Sequence, residues 1–205
     1  ATVYPAADHA IKEEEIWSGP THPSYFAYGW MRRYLERMSE FVVQKSKMKI
    51  ALVRPTAVYG PHDDFDPVTS HVVPALIRKA HEAKVRGEVS FDVWGSGTPR
   101  REFLHVDDCA DALVHLMTSY SGDQHVNVGY GDDIAIADLA QLVADAVGFK
   151  GEIAWDGSKP DGTPRKLMDV GKIAALGWTP RIDLKRGVED VYAWFLFPAF
   201  MLASV

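Results

Sequence analysis

The stretch REFLHVDDCADALVHLMTSYSGDQHVNVG, residues 101–129, reads as a strand, a helix and a second strand. "REFLHV" and "HVNVG" are short runs with strand character. Between them "DDCADALVHLMTSY" (107–120) opens with Asp107 and Asp108, acid in the first turn where the helix dipole favours it. Strands joined through a helix are the units from which parallel sheets are built.

The same alternation continues in both directions. A helix is expected over 24–46 after Pro23, rich in Arg, Glu and Met. "KIALVRPT" (49–56) is an apolar run ended by a proline, as in a buried strand. "TSHVVPALIRKAHEAKV" (69–85) reads as a helix entered through Thr69 or Ser70, with Pro74 tolerable only in its first turn. "VSFDVWG" and "GEIAWD" read as strands, "AIADLAQLVADAVG" as a helix closed by Gly148, and "DLKRGVEDVYAWFL" as a final amphipathic helix capped by Asp183. The expected class is therefore α/β with parallel strands.

With 205 residues, 47% hydrophobic and 24% charged, the chain has the composition of a globular protein with one sizeable core. A net charge of −6 argues against a nucleic-acid or anionic-membrane surface, but leaves room for a small anionic ligand at a local basic cluster. The single cysteine, Cys109, forbids an internal disulfide and cannot assemble a cysteine zinc site, which suits a reducing cytoplasm. No metal site is expected. The apolar run "VYAWFLFPAFMLASV" at the end is interrupted by Pro198 and too short to span a bilayer, so it is expected to pack on the body.

"SYFAYGWMRRYLE" (24–36) carries three tyrosines and a basic pair. Tyr28 and Arg32 are one helical turn apart and share a face, which suits a proton-transferring phenol with a cationic helper. Aromatic packing at a helix start is the other reading of Tyr28. The glycine pairs "GSG" (95–97) and "GYG" (129–131) follow strands, but neither continues into the third glycine of a pyrophosphate-binding turn.

Taken in order, "VYP" (3–5), the tyrosine helix, "RPTAVYGP" (54–61), "REFLHVDDCADAL" (101–113) and "VNVGYGD" (126–132) resemble the extended short-chain dehydrogenase/reductases, the NAD-dependent sugar-nucleotide epimerase/dehydratase group. Residues 70–108 and 149–184 are similar to its GDP-L-fucose synthase branch. The resemblance implies the C-terminal two-thirds of a Rossmann-type fold with a smaller α/β substrate-binding lobe. Residues 1–60 would be the remainder of the nucleotide-binding domain, and 61–205 mainly the substrate lobe, with 101–120 returning to the Rossmann sheet. The glycine-rich turn would precede Ala1, and NADP (or NAD) would bind mostly through that part.

The resemblance also implies roles. Tyr28 would exchange a proton with the sugar oxygen, and Arg32 would stand where the family carries a lysine. Pro55, Thr56, Ala57 and Val58 would run past the nicotinamide, also approached by His71. His71 would be a second acid/base group; the alternative is a helix-cap or core histidine. Thr2 occupies the place of the family's second acid/base cysteine, and a hydroxyl is a far poorer base than a thiolate. Cys109 is expected to be buried packing and cannot substitute. Lys79, Trp94, Arg101, Asp161 and Lys166 would meet the nucleotide sugar, the loop "SKPDGTPRK" (158–166) concentrating charge through Lys159, Arg165 and Lys166; the alternative is a solvated basic loop. The implied activity is a nucleotide-sugar epimerase/reductase acting on a GDP-4-keto-6-deoxy-hexose, pairing as a homodimer through the tyrosine helix. Reduction without epimerisation, another nucleotide sugar, or a non-catalytic remnant are the alternatives left open.

Overall fold

The computed structural model describes residues 2–122 and 124–202, the side chains of residues 24 and 198–202 excepted. It contains helices α1 (Phe26–Lys45), α2 (Val72–Arg86), α3 (Val106–Ser119), α4 (Ile136–Val147), α5 (Gly171–Ala175) and α6 (Leu184–Leu202). The strands are β1 (Val53–Pro55), β2 (Ala57–Tyr59), β3 (Ser90–Trp94), β4 (Arg100–Arg101), β5 (Phe103–His105), β6 (Val126–Val128), β7 (Ile134–Ala135), β8 (Glu152–Asp156) and β9 (Arg165–Lys166). The chain divides into two compact units. The first holds residues 1–58, 100–133 and 162–181, and the second 59–99, 134–161 and 182–205.

In the first unit β1 runs parallel to β6, with Arg54 opposite Asn127. The strand–helix–strand reading of 101–129 holds as β5, α3 and β6, yet β6 takes β1, not β5, as its neighbour. β4 lies parallel to β9, inside the stretch 158–166 read from sequence as loop. The core joins Leu104, Ala112, Leu116, Val126 and Val128 with Ile173 and Trp178. Cys109 is buried in it, where desolvation raises its thiol, as expected of packing. The acidic residues of α3 brace the neighbouring segment. Trp178 donates its indole N–H to Asp111 at 2.8 Å, and the Arg181 N–H bonds Asp108 at 3.0 Å.

In the second unit β3 and β8 pair in parallel from Ser90↔Glu152 to Trp94↔Asp156. α2 buries Val73, Leu76, Ile77, Ala80 and Ala83, and α4 buries Leu139, Ala140, Val143, Ala144 and Val147, both at helical spacing. The two helices pack on one another, and α4 also packs on α6, whose Val188 and Val191 are buried. Gly148 ends α4 at φ 75°, a left-handed cap that a side chain would strain. Asp183 caps α6 by accepting from the Arg186 N–H at 2.9 Å.

Three boundaries differ from expectation. β1 covers only Val53–Pro55, so 49–52 lie outside a strand. α2 begins at Val72 with His71 as its N-cap, not Thr69 or Ser70, because the Thr69 hydroxyl and N–H bind Asp64 and Asp66 in the preceding turn. Pro74 falls in the first turn, where its missing N–H costs nothing. α6 runs past residue 196 to Leu202, and the side-chain packing expected of the tail after Phe197 lies outside the described residues. Among the described residues, no helix is long and apolar enough to cross a membrane.

Candidate active site

A 3-10 turn at Pro23–Tyr25 leads into α1, and Tyr28 stands in the first turn of that helix, 48% exposed. Arg32 donates from Nη2 to the Tyr28 hydroxyl at 2.9 Å, and its guanidinium carbon lies 5.0 Å from the ring centroid. A cation that donates to a phenol oxygen steadies negative charge developing there. The second arginine of the pair does different work. Arg33 is 1% exposed and donates from Nε to the Val3 carbonyl at 2.8 Å and from Nη2 to the Gly19 carbonyl at 3.0 Å. It clamps the "VYP" segment to the helix. Gly29 permits that approach: a Cβ there would sit 2.6 Å from Thr21 Cγ2 and 2.9 Å from the Thr2 carbonyl oxygen. Thr2 is thereby brought against the helical turn that bears Tyr28.

Of the four residues expected along the nicotinamide, Pro55 and Ala57 are exposed and Val58 is half-buried. Alternation along a strand puts Pro55 and Ala57 on one side. Thr56 is turned inward: its hydroxyl donates to the Glu102 carbonyl at 3.2 Å and its N–H to the Val128 carbonyl at 3.0 Å. Beneath them Arg54, 4% exposed, forks onto Glu36 of α1 at 2.8 and 3.0 Å and donates to the Tyr4 hydroxyl at 2.5 Å. Tyr4 in turn donates to Asn127 at 2.6 Å. Burial pushes Tyr4 up to about 12 against the lowering pull of Arg54, so its phenol stays protonated. This buried network ties together α1, the "VYP" segment, β1 and β6, and nothing in the spacing of the sequence announces it.

Arg101 and Lys166 belong to the same unit, on the paired strands β4 and β9. Arg101 donates to the Arg100 carbonyl at 2.8 Å, and Lys166 Nζ lies 3.9 Å from the Tyr25 ring centroid. The buried Glu102 next to Arg101 accepts from the N–H groups of Gly131 at 2.7 Å and Met168 at 3.1 Å. Burial raises its carboxyl while those donors oppose the rise. Arg165 is neither free for a ligand, as expected of the basic loop, nor merely solvated. Its Nε reaches Asp133 at 2.5 Å, an acid shared with Arg100 at 2.6 Å. Burial would push Asp133 up, but the two arginines outweigh it and hold the carboxyl low. Arg165 thus spends its charge inside the fold.

The second unit holds the other candidates. His71, exposed at the N-cap of α2, makes no capping bond with its side chain, which removes the cap reading. Trp94 is 63% exposed, with Lys79 Nζ and Lys159 Nζ each 5.4 Å from its ring centroid. Lys79 also donates to the Asp92 carbonyl at 3.0 Å. Asp161 accepts from the Ser96 N–H at 2.7 Å and the Ser96 hydroxyl at 2.8 Å, so it orders the turn after Trp94.

Sequence reasoning passed over His22 and Thr163. Both line a narrow slot with Thr2, Tyr25 and Lys166, and the Thr163 side chain is 3% exposed with an unbonded hydroxyl. A lone histidine in "THPSY" carries no signal until the fold folds 163–168 back onto it.

The family model described as the NAD dependent epimerase/dehydratase family matches residues 1–129. A GDP-L-fucose synthase 1 from Arabidopsis thaliana is 57% identical over 142 residues, covering 69% of this chain and 44% of its own length. GDP-L-fucose synthase from Escherichia coli (strain K12) is 42% identical over 204 residues, covering 95% of this chain and 64% of its own length. The crystal structure of a GDP-L-fucose synthetase from Naegleria fowleri bound to NADP superposes with a TM-score of 0.88 at 31% identity, over 97% of this chain and 64% of that one. The chain spans about 60% of the length of curated relatives that match nearly all of it. On the match over residues 1–129, the chain belongs to the NAD dependent epimerase/dehydratase family.

Proposed function

We propose that this chain is the greater part of a nucleotide-sugar epimerase/reductase that uses NADP(H) on a GDP-4-keto-6-deoxy-hexose. The observation that carries the reading is the Tyr28–Arg32 pair, an exposed phenol held at 2.9 Å by a cation one helical turn on. The GDP-L-fucose synthases among the relatives and the NADP bound in the Naegleria fowleri structure support the substrate class and the cofactor.

The residues present fit the nicotinamide end of the cofactor. Tyr28 and Arg32 offer a hydroxyl and a charge, and the exposed Pro55 and Ala57 share the open side of their strands, where a flat ring has room. When bound, NADPH supplies the hydride for the keto carbon. Tyr28 gives its phenolic proton to the oxygen of that carbon, and Arg32 steadies the phenolate left behind. Arg101 and Lys166 offer charge to phosphate oxygens, and Trp94 with Lys79 offers a flat apolar face beside a cation. Asp161 offers acceptor capacity for a sugar or ribose hydroxyl. His71, exposed and unspent as a cap, donates a proton in epimerisation. We assign residues 1–60 and 101–120 to the nucleotide-binding domain and most of 61–205 to the substrate lobe. We also assign the exposed side of α1 to a homodimer.

A second reading, reduction without epimerisation, is favoured by Thr2 at the position of the family's acid/base cysteine. The test is NADPH absorbance with GDP-4-keto-6-deoxy-mannose and the full-length protein, beside Tyr28→Phe. Tyr28→Phe should turn over about 100-fold more slowly while still binding NADPH. A wild-type protein that consumes no NADPH, or a phenylalanine variant as fast as wild type, sinks the proposal.

A further inference from the structure

Thr2, Tyr4, His22, Tyr25, Thr163 and Lys166 line one slot of about 20 Å³ in the first unit. That volume holds about one water, provided polar partners surround it. One partner is certain to want it. Thr163 is 3% exposed, and its hydroxyl makes no hydrogen bond within the protein. A buried hydroxyl left unbonded is costly, and an ordered water removes the cost. Thr2 and His22 line the same slot.

We propose that His22, acting through this water, is the proton acceptor of the epimerisation step, with Thr2 and Thr163 holding the water. The inference rests on the function proposed above. A hydroxyl at position 2 cannot itself take a proton from carbon near neutral pH, whereas an imidazole can, directly or through one water. The carbon beside the ketone gives its proton to the slot water as that water passes one of its own to the His22 ring. The electron pair of the broken C–H bond moves into the ketone, forming an enolate. A proton delivered from the opposite face then completes the inversion, and His22 releases its proton to solvent.

The experiment follows deuterium entering the substrate from D2O. The full-length protein, with NADP+ in place of NADPH, is incubated with GDP-4-keto-6-deoxy-mannose, and exchange at the carbons beside the ketone is read by NMR. Wild type should exchange. His22→Gln and Thr163→Val should exchange about 100-fold and about 10-fold more slowly, with melting temperatures near that of wild type. Thr2→Cys, placed in the His22→Gln background, should restore exchange, because a thiolate at position 2 needs no relay; a merely structural role for His22 would not be rescued in this way. His22→Gln exchanging within threefold of wild type overturns the proposal. Wild-type protein that reduces the substrate with NADPH but shows no exchange also overturns it, while leaving the reductase reading intact. Wild type that does neither overturns both.

Discussion

At the scale of single residues, the basic pair Arg32–Arg33 shows how a helix separates chemistry from architecture. The two side chains are neighbours in sequence but point about 100° apart around the axis. One meets the Tyr28 hydroxyl in the open and the other is buried against two carbonyls. The family resemblance implies a lysine at position 32, and arginine keeps the charge but delivers it through a planar fork. Arg32→Lys should therefore retain turnover within about tenfold of wild type, whereas Arg32→Gln, which removes the cation, should lose about 100-fold. Steady-state NADPH oxidation separates the two, and a glutamine variant as active as the lysine one would show that the charge at 32 is idle. Tyr28 and Arg32 were legible because helical spacing brings them together without help from the rest of the chain.

At the scale of elements, α1 is held to β1 by the Glu36–Arg54 pair, with side chains 12% and 3% exposed. Burial alone would push Glu36 up, but the His125 ring 3.1 Å away and the hydrogen bonds from Arg54 outweigh it and bring the carboxyl down to about 2. A carboxyl depressed by folding stabilises the protein above its unfolded value, ordinarily 4.5, and loses that contribution as pH falls toward 2. The contribution is about 2 kcal/mol at neutral pH once solvent screening is discounted. Glu36→Gln should lower the melting temperature at pH 7 and flatten its decline between pH 4.5 and 2. Melting curves across that range are the check, and a variant with the wild-type acid limb would show that other carboxylates govern it. This network was not legible. Residues 4, 13, 36, 54, 125 and 127 share no periodicity, and only the folding of five segments around one guanidinium reveals them.

At the scale of the whole molecule, α1 is a helix of 20 residues whose buried members are only Gly29 and Arg33, among residues with described side chains. Tyr34, Met38 and Phe41 form an exposed stripe at helical spacing, at 64%, 41% and 52% exposure. Apolar surface of this kind is covered in a working protein, and a second copy of α1 is the partner proposed for it. Light scattering on the full-length protein should give a dimer. Tyr34→Glu with Phe41→Glu should weaken the dimer about 100-fold or more, while leaving Tyr28 and Arg32 in place. A wild-type monomer would remove that assignment.

Determined by the sequence alone were the α/β class, the parallel pairing, most helices and the Tyr28–Arg32 pair. These depend on local terms: hydrophobic period, capping chemistry and the one-turn spacing of a helix. Only the tertiary structure decided which charges stay available and which are spent. Arg165 looked like ligand-binding charge and proved to be locked to Asp133, Thr56 turned its hydroxyl inward, and β6 chose β1 as its partner. The slot that joins Thr2 to His22 and Thr163 belongs to the same class. Whether a polar group faces a ligand or a neighbour depends on contacts between segments distant in the chain, and no local pattern encodes those.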